Sequence, residues 1–146
     1  MAETDTVQNE IIDLGFDVKE ADVARPVLKD GTYDMTIGFT RGETSKNGHP
    51  MLLVGYRLAQ SAEDTRGRSV NPGFTITQRY MRKPSGDLTQ AMIDDRFKAI
   101  HFAAAGEGAV NTGAWIGKTV KARVKIREAK GEYSESNEIS GVYPKK

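Results

Sequence analysis

Apolar and polar residues alternate along several stretches of the chain. Tyr33, Met35, Ile37 and Phe39 interleave with Asp34, Thr36 and Gly38. Period two over seven residues of β-favouring type predicts a strand with one buried face. Leu52, Val54, Tyr56 and Leu58 give the same pattern within Met51 to Leu58. Phe74, Ile76, Gln78 and Tyr80 against Thr75, Thr77 and Arg79 predict a third strand. The clearest alternation is TVKARVKIR at 119–127, where Val120, Ala122, Val124 and Ile126 share one side. Asn137 to Tyr143, ended by Pro144, predicts the fifth strand.

Helical spacing replaces this alternation between the third and fourth strands. Leu88, Met92, Ile93, Phe97, Ile100 and Ala104 recur at steps of three and four and make one apolar face. Asp87 is the expected N-cap and Gly106 the expected stop. Gly106 to Gly113 reads as a flexible connection, and Trp115 and Ile116 as an anchor before a turn at Gly117-Lys118.

The connecting segments carry turn chemistry. Residues 41–50, RGETSKNGHP, read as loop, with Asn47-Gly48 as the turn dipeptide. Residues 59–73 hold no sustained apolar pattern and predict a mobile loop; 128–135 predict a hairpin connection. The chain is thus expected to be mainly β: a five-stranded OB-like barrel or small β-sandwich, with one helix between strands three and four. Residues 31–146 form this single domain. Residues 1–30 form an acidic, partly flexible N-terminal arm. Ile11, Ile12, Leu14, Phe16 and Val18 predict that 11–18 packs while 1–10 stays mobile.

The bulk properties agree with one domain. The chain has 146 residues, 38% of them hydrophobic and 28% charged, enough for one packed core. No apolar run approaches the roughly 20 residues that span a bilayer, so no membrane partner is expected. The opening MAETDTVQNE is polar and acidic, the opposite of an export signal, which predicts an intracellular protein. Cys is absent, which excludes disulfides, thiolate metal sites and a cysteine nucleophile.

Net charge is only +1, but it is unevenly spread. Residues 1–30 carry eight acids against Lys19, Arg25 and Lys29, a balance of −5, so residues 31–146 carry +6. An acidic arm on a basic body suits an anionic partner, self-masking of a basic surface, or simple solubility.

Catalytic chemistry finds no support in the residues. His49 and His101 are far apart, and an isolated His near a helix end is usually structural or solvent-facing. Asp94 and Asp95 point about 100° apart on a helix and make no paired site. Gly106-Glu107-Gly108 follows a helix and lacks the lysine and hydroxyl of a phosphate loop. A non-catalytic protein with no cofactor and no metal is expected.

Binding chemistry is better represented. Lys121, Arg123, Lys125 and Arg127 stand two apart, so a strand projects them from one face. Their charges recur about every 6–7 Å, near the phosphate spacing of an extended single strand. Lys118 and Lys130 flank this row, and Arg79 and Arg82 extend it. Tyr80 and Tyr133 are the candidate platforms for stacked bases, while Arg41, Lys46, Arg66 and Arg68 lie on loops that would border a cleft. Cations with exposed rings are the recipe for sequence-tolerant single-strand binding. The bland alternative is a solvated strand face whose charges discourage edge pairing, with most rings in the core.

Residues 96–144 also resemble a family of small phage-encoded proteins. The shared features are Phe97, the small-residue end at Ala103 to Gly106, Gly117-Lys118, the Val-rich run Val120 to Ile126, Asn137-Glu138 and Pro144. Gly31-Thr32-Tyr33 and Ser45-Lys46-Asn47-Gly48 extend the likeness into the first half, over about 110 residues. That family sits among replication and recombination genes and is regarded as OB-like and single-stranded-DNA-binding. The resemblance implies a partner of single-stranded nucleic acid, met in the host cytoplasm. Many single-strand binders end in an acidic tail, whereas this chain ends Pro144-Lys145-Lys146. The alternative is a capsid cement or decoration protein of the virion, whose arm laces neighbouring subunits and whose partner is a capsid protein. The sequence leaves homo-oligomer formation open.

Overall fold

The computed structural model describes residues 9–18, 25–129 and 135–145. The strands are β1 (Gly31–Thr44), β2 (Pro50–Leu58), β3 (Ala62–Glu63), β4 (Ser69–Val70), β5 (Thr75–Met81), β6 (Thr119–Arg127) and β7 (Ser136–Pro144). One α-helix, α1 (Gln90–Ala105), lies between β5 and β6 and is followed by a 3₁₀ turn at Thr112–Ala114.

Five strands make one antiparallel sheet in the order β5-β2-β1-β6-β7; β3 and β4 form a separate ribbon. The long β1 serves two neighbours. Gly31 to Thr36 pairs with β6, and Met35 to Thr44 pairs with β2. An extra residue at Gly38, between Ile37 and Phe39, interrupts the second register. A bulge of this kind bends a strand and increases its twist. A second irregularity, opposite Arg123 and Val124, leaves Ser140 extra in β7. The edges β5 and β7 thereby approach each other without a backbone ladder between them. The Gln78 side-chain carbonyl instead accepts the Ile139 N–H at 2.9 Å. The sheet is not closed into a barrel.

The core lies between the inner face of this sheet and α1. Met35, Ile37, Val54, Tyr56, Val120, Ala122 and Val124 are fully buried, joined by Ile100 from the helix and Trp115 from the turn. Asn137 ties the chain entering β1 to β7. Its side chain accepts the Leu28 N–H at 2.7 Å and donates to the Leu28 carbonyl at 2.9 Å.

The five expected strands and the helix are present, with four differences, while most of the expected 128–135 connection and of the 1–10 segment lies outside the described residues. Residues 41–50 are not all loop: β1 continues to Thr44, and the turn spans only 45–49, with Gly48 at φ +82°. The main-chain register with β2 overrides the polar composition there. The 59–73 segment is not a structureless loop. Its β3–β4 ribbon closes on Asp64, fully buried, which accepts the N–H groups of Arg66 and Arg68 and the Arg68 guanidinium. Thr89, not Asp87, caps α1, its hydroxyl accepting from the Met92 N–H at 3.2 Å; Gly106 closes the helix as expected. Finally, 11–18 does not pack. Ile11, Ile12, Leu14, Phe16 and Val18 are all exposed, between 67% and 102%. Among the described residues no helix is long and apolar enough to cross a membrane.

Candidate nucleic-acid interface

Burial of Val120, Ala122 and Val124 forces Lys121, Arg123, Lys125 and Arg127 onto the outer face of β6. Lys118, just before the strand, is also exposed. Its position is fixed because the Gly117 N–H donates to the Ile37 carbonyl at 2.8 Å and the Lys118 carbonyl accepts the Ile37 N–H at 2.9 Å. Lys121, Arg123, Lys125 and Arg127 therefore share the outer face of β6 as a row, with Lys118 exposed just before it.

Two members of this row have carboxylate neighbours. Lys121 stands 4.0 Å from Asp34, its partner across β1, and Lys145 stands 3.8 Å from the same carboxylate. Arg127 stands 3.4 Å from Glu138. Arg123 and Lys125 are exposed and make no ion pair within 4.0 Å among the described residues. Surface ion pairs are worth only about 0–1 kcal/mol. A polyphosphate can thus compete for Lys121 and Arg127 at small cost, while Arg123 and Lys125 need nothing displaced.

Arg79 is not part of this row. It projects from β5, 3.4 Å from Glu43. The curl of the sheet nonetheless brings Arg79 and Arg127 to the walls of one cleft of about 520 Å³ at the gap between β5 and β7. Arg25, Phe74, Ile76 and Asn137 also line it. Arg25 lies 4.8 Å over the Phe74 ring and donates to the Thr75 carbonyl.

The expected stacking platforms need correction. Tyr80 faces the core, only 9% exposed, with its ring edge-on to Phe97 and its hydroxyl 2.8 Å from that of Tyr56. Burial, set against smaller opposing effects of the Tyr56 hydrogen bond and the Arg96 charge, pushes its hydroxyl pKa up to about 12. Little of that ring is presented for stacking. Tyr133 lies outside the described residues.

A different ring occupies the right face. Tyr143 is 50% exposed, lies opposite Lys121 in the β6–β7 register, and rests against Gly141, where a side chain would collide with it. Tyr143 was legible as a strand aromatic but not as an outward one, since the extra residue at Ser140 lets Ile139 and Val142 both point inward. Arg25 and Phe74 were missed as cleft residues because they come from the arm and a loop edge. Phe74 carried a signal as a strand aromatic; Arg25 carried none.

His101 is buried and accepts a hydrogen bond from Trp115, so it belongs to the core. Among the described residues no three His, Asp or Glu side chains gather as metal ligands. No protein-family model matches the chain, and no curated protein matches it.

Proposed function

We propose that this chain is a sequence-tolerant single-stranded DNA-binding protein of phage type, acting in the host cytoplasm, with an OB-like fold. The five-stranded antiparallel sheet, with a helix between its third and fourth strands, supports the OB-like reading. Lys118, Lys121, Arg123, Lys125 and Arg127 neutralise successive phosphates, and Tyr143 offers the ring face on which a base stacks. The reading rests above all on Arg123 and Lys125, exposed side by side along β6 with no carboxylate pair among the described residues.

Titration of a labelled oligonucleotide at two salt concentrations tests it. Affinity falls steeply with salt. The Arg123→Gln/Lys125→Gln variant binds more weakly, and its log–log salt slope is shallower by about 1.4, at about 0.7 per phosphate for single strands. Absence of binding at low salt overturns the proposal.

One observation favours a second reading, a capsid cement or decoration protein of the virion. The arm's apolar side chains, Ile11 to Val18, stand uncovered and suit a lacing contact with a capsid protein. Mass spectrometry of purified particles separates the two: stoichiometric presence in virions selects the structural role.

A further inference from the structure

The arm combines two features that require a partner. Ile11, Ile12, Leu14, Phe16 and Val18 are exposed, so their apolar surface stays in water. Glu10, Asp13 and Asp17 are interspersed among them. A surface that covers this segment must offer both apolar contact and positive charge. Within 9–18 a local turn forms, where the Gly15 N–H donates to the Asp13 carboxylate at 2.9 Å.

The body presents one such surface. The cleft at the gap between β5 and β7 has Val27, Phe74 and Ile76 on its apolar side and Arg25, Arg66, Arg79 and Arg127 against the single carboxylate of Glu135 in its lining, with Arg79 and Arg127 in exposed pairs with Glu43 and Glu138 that an incoming carboxylate displaces at small cost. Its volume of about 520 Å³ is in the range of binding sites for small ligands and accommodates a few side chains, not the whole arm. The cleft also adjoins the root of the arm, since Arg25, Pro26 and Val27 form one of its walls.

We propose that this cleft receives the Asp13–Asp17 segment of a second copy of the chain, in a reciprocal arm exchange. Leu14 and Phe16 enter against Phe74 and Ile76, and the two carboxylates meet Arg79 and Arg127. Among the described residues nothing of its own chain covers the segment. A second copy is favoured over an unrelated protein by charge, acidic arm against arginine cleft, and by position. Because each arm leaves its body at the cleft wall, two molecules facing cleft to cleft exchange arms through one self-complementary contact, as two-fold symmetry requires. Arg127 belongs to both the cleft and the β6 row, so arm exchange and nucleic-acid binding compete for that one side chain, and the exchange is measured without nucleic acid.

Sedimentation velocity of the full chain, from low to high micromolar, tests the exchange. The wild-type chain dimerises. Leu14→Asp/Phe16→Asp, placed off the folded body, abolishes dimerisation without changing the far-UV circular dichroism, and so does Arg79→Glu/Arg127→Glu. Mixing these two variants restores a dimer, because one intact arm then finds one intact cleft. Joining Asp13→Arg/Asp17→Arg to the cleft variant restores pairing by charge reversal. A wild-type chain that stays monomeric throughout, whether its arm folds onto its own cleft or awaits another protein, overturns the proposal. So does an arm variant that dimerises like wild type.

Discussion

Trp115 donates its indole N–H to Nδ1 of His101 at 3.0 Å, joining the 3₁₀ turn to α1 inside the core. Trp115 is fully buried and His101 is 5% exposed, so solvent cannot replace either partner. His101→Phe fills the space but leaves the indole N–H unsatisfied, a loss of about 1–3 kcal/mol. His101→Gln retains an acceptor and loses less. Urea unfolding of the two variants checks the order: the midpoint of the Phe variant lies below that of the Gln variant.

Tyr56 and Tyr80 share a second buried pair, hydroxyl to hydroxyl at 2.8 Å. Burial raises both, Tyr56 well above the usual tyrosine value and Tyr80 to about 12. The folded state therefore holds these protons more tightly than the unfolded chain does. Their contribution is complete below about pH 10 and is lost as pH rises through the folded values. Urea unfolding at increasing pH shows stability falling above about pH 10. Tyr56→Phe/Tyr80→Phe flattens this fall, because neither ring then ionises in the unfolded chain.

Asp64 gives the opposite dependence. Burial disfavours its charge, but the Arg68 and Arg66 N–H groups and the Arg68 guanidinium outweigh it and hold the carboxyl below the usual value. The unfolded chain takes up this proton first as pH falls. The contribution of Asp64 is present above the unfolded value, about 3.9, and disappears as pH drops below it through the lower folded one. Asp64→Asn removes that part of the acid dependence. Hydrogen exchange at the Asp64 and Thr65 amides locates the effect in the β3–β4 ribbon, where they donate to the Arg68 and Val27 carbonyls.

The five main strands and the helix were legible because burial on one face writes its period into the residues: Val120, Ala122 and Val124 in, Lys121, Arg123 and Lys125 out. The outer row of the site was legible for the same reason. What failed was whatever periodicity does not encode. Asp64 organises its ribbon through backbone N–H groups, so 59–73 had no apolar signal to betray it. Tyr80 alternates correctly with Arg79, but alternation says which rings lie together, not that their side is the buried one. The cleft joins Arg79 to Arg127 through the curl of the sheet, set by bulges at Gly38 and Ser140 that no local pattern announces.

Tyr143 tests whether the β6–β7 face uses a ring as well as charges. Its ring carries no charge, so a stacking role and an ionic role leave different signatures. Tyr143→Ala weakens oligonucleotide binding by about 1–3 kcal/mol, the range for one stacked base. The salt slope stays at the wild-type value, because no phosphate contact is lost. Tyr143→Phe keeps the ring and binds like wild type. A slope that changes with Tyr143→Ala, or an affinity that does not, assigns the face to phosphate contacts alone. The ring lies opposite Lys121, and Lys121 shares Asp34 with Lys145. Asp34→Asn releases both cations to the strand and steepens the salt slope, whichever way the Tyr143 measurement falls.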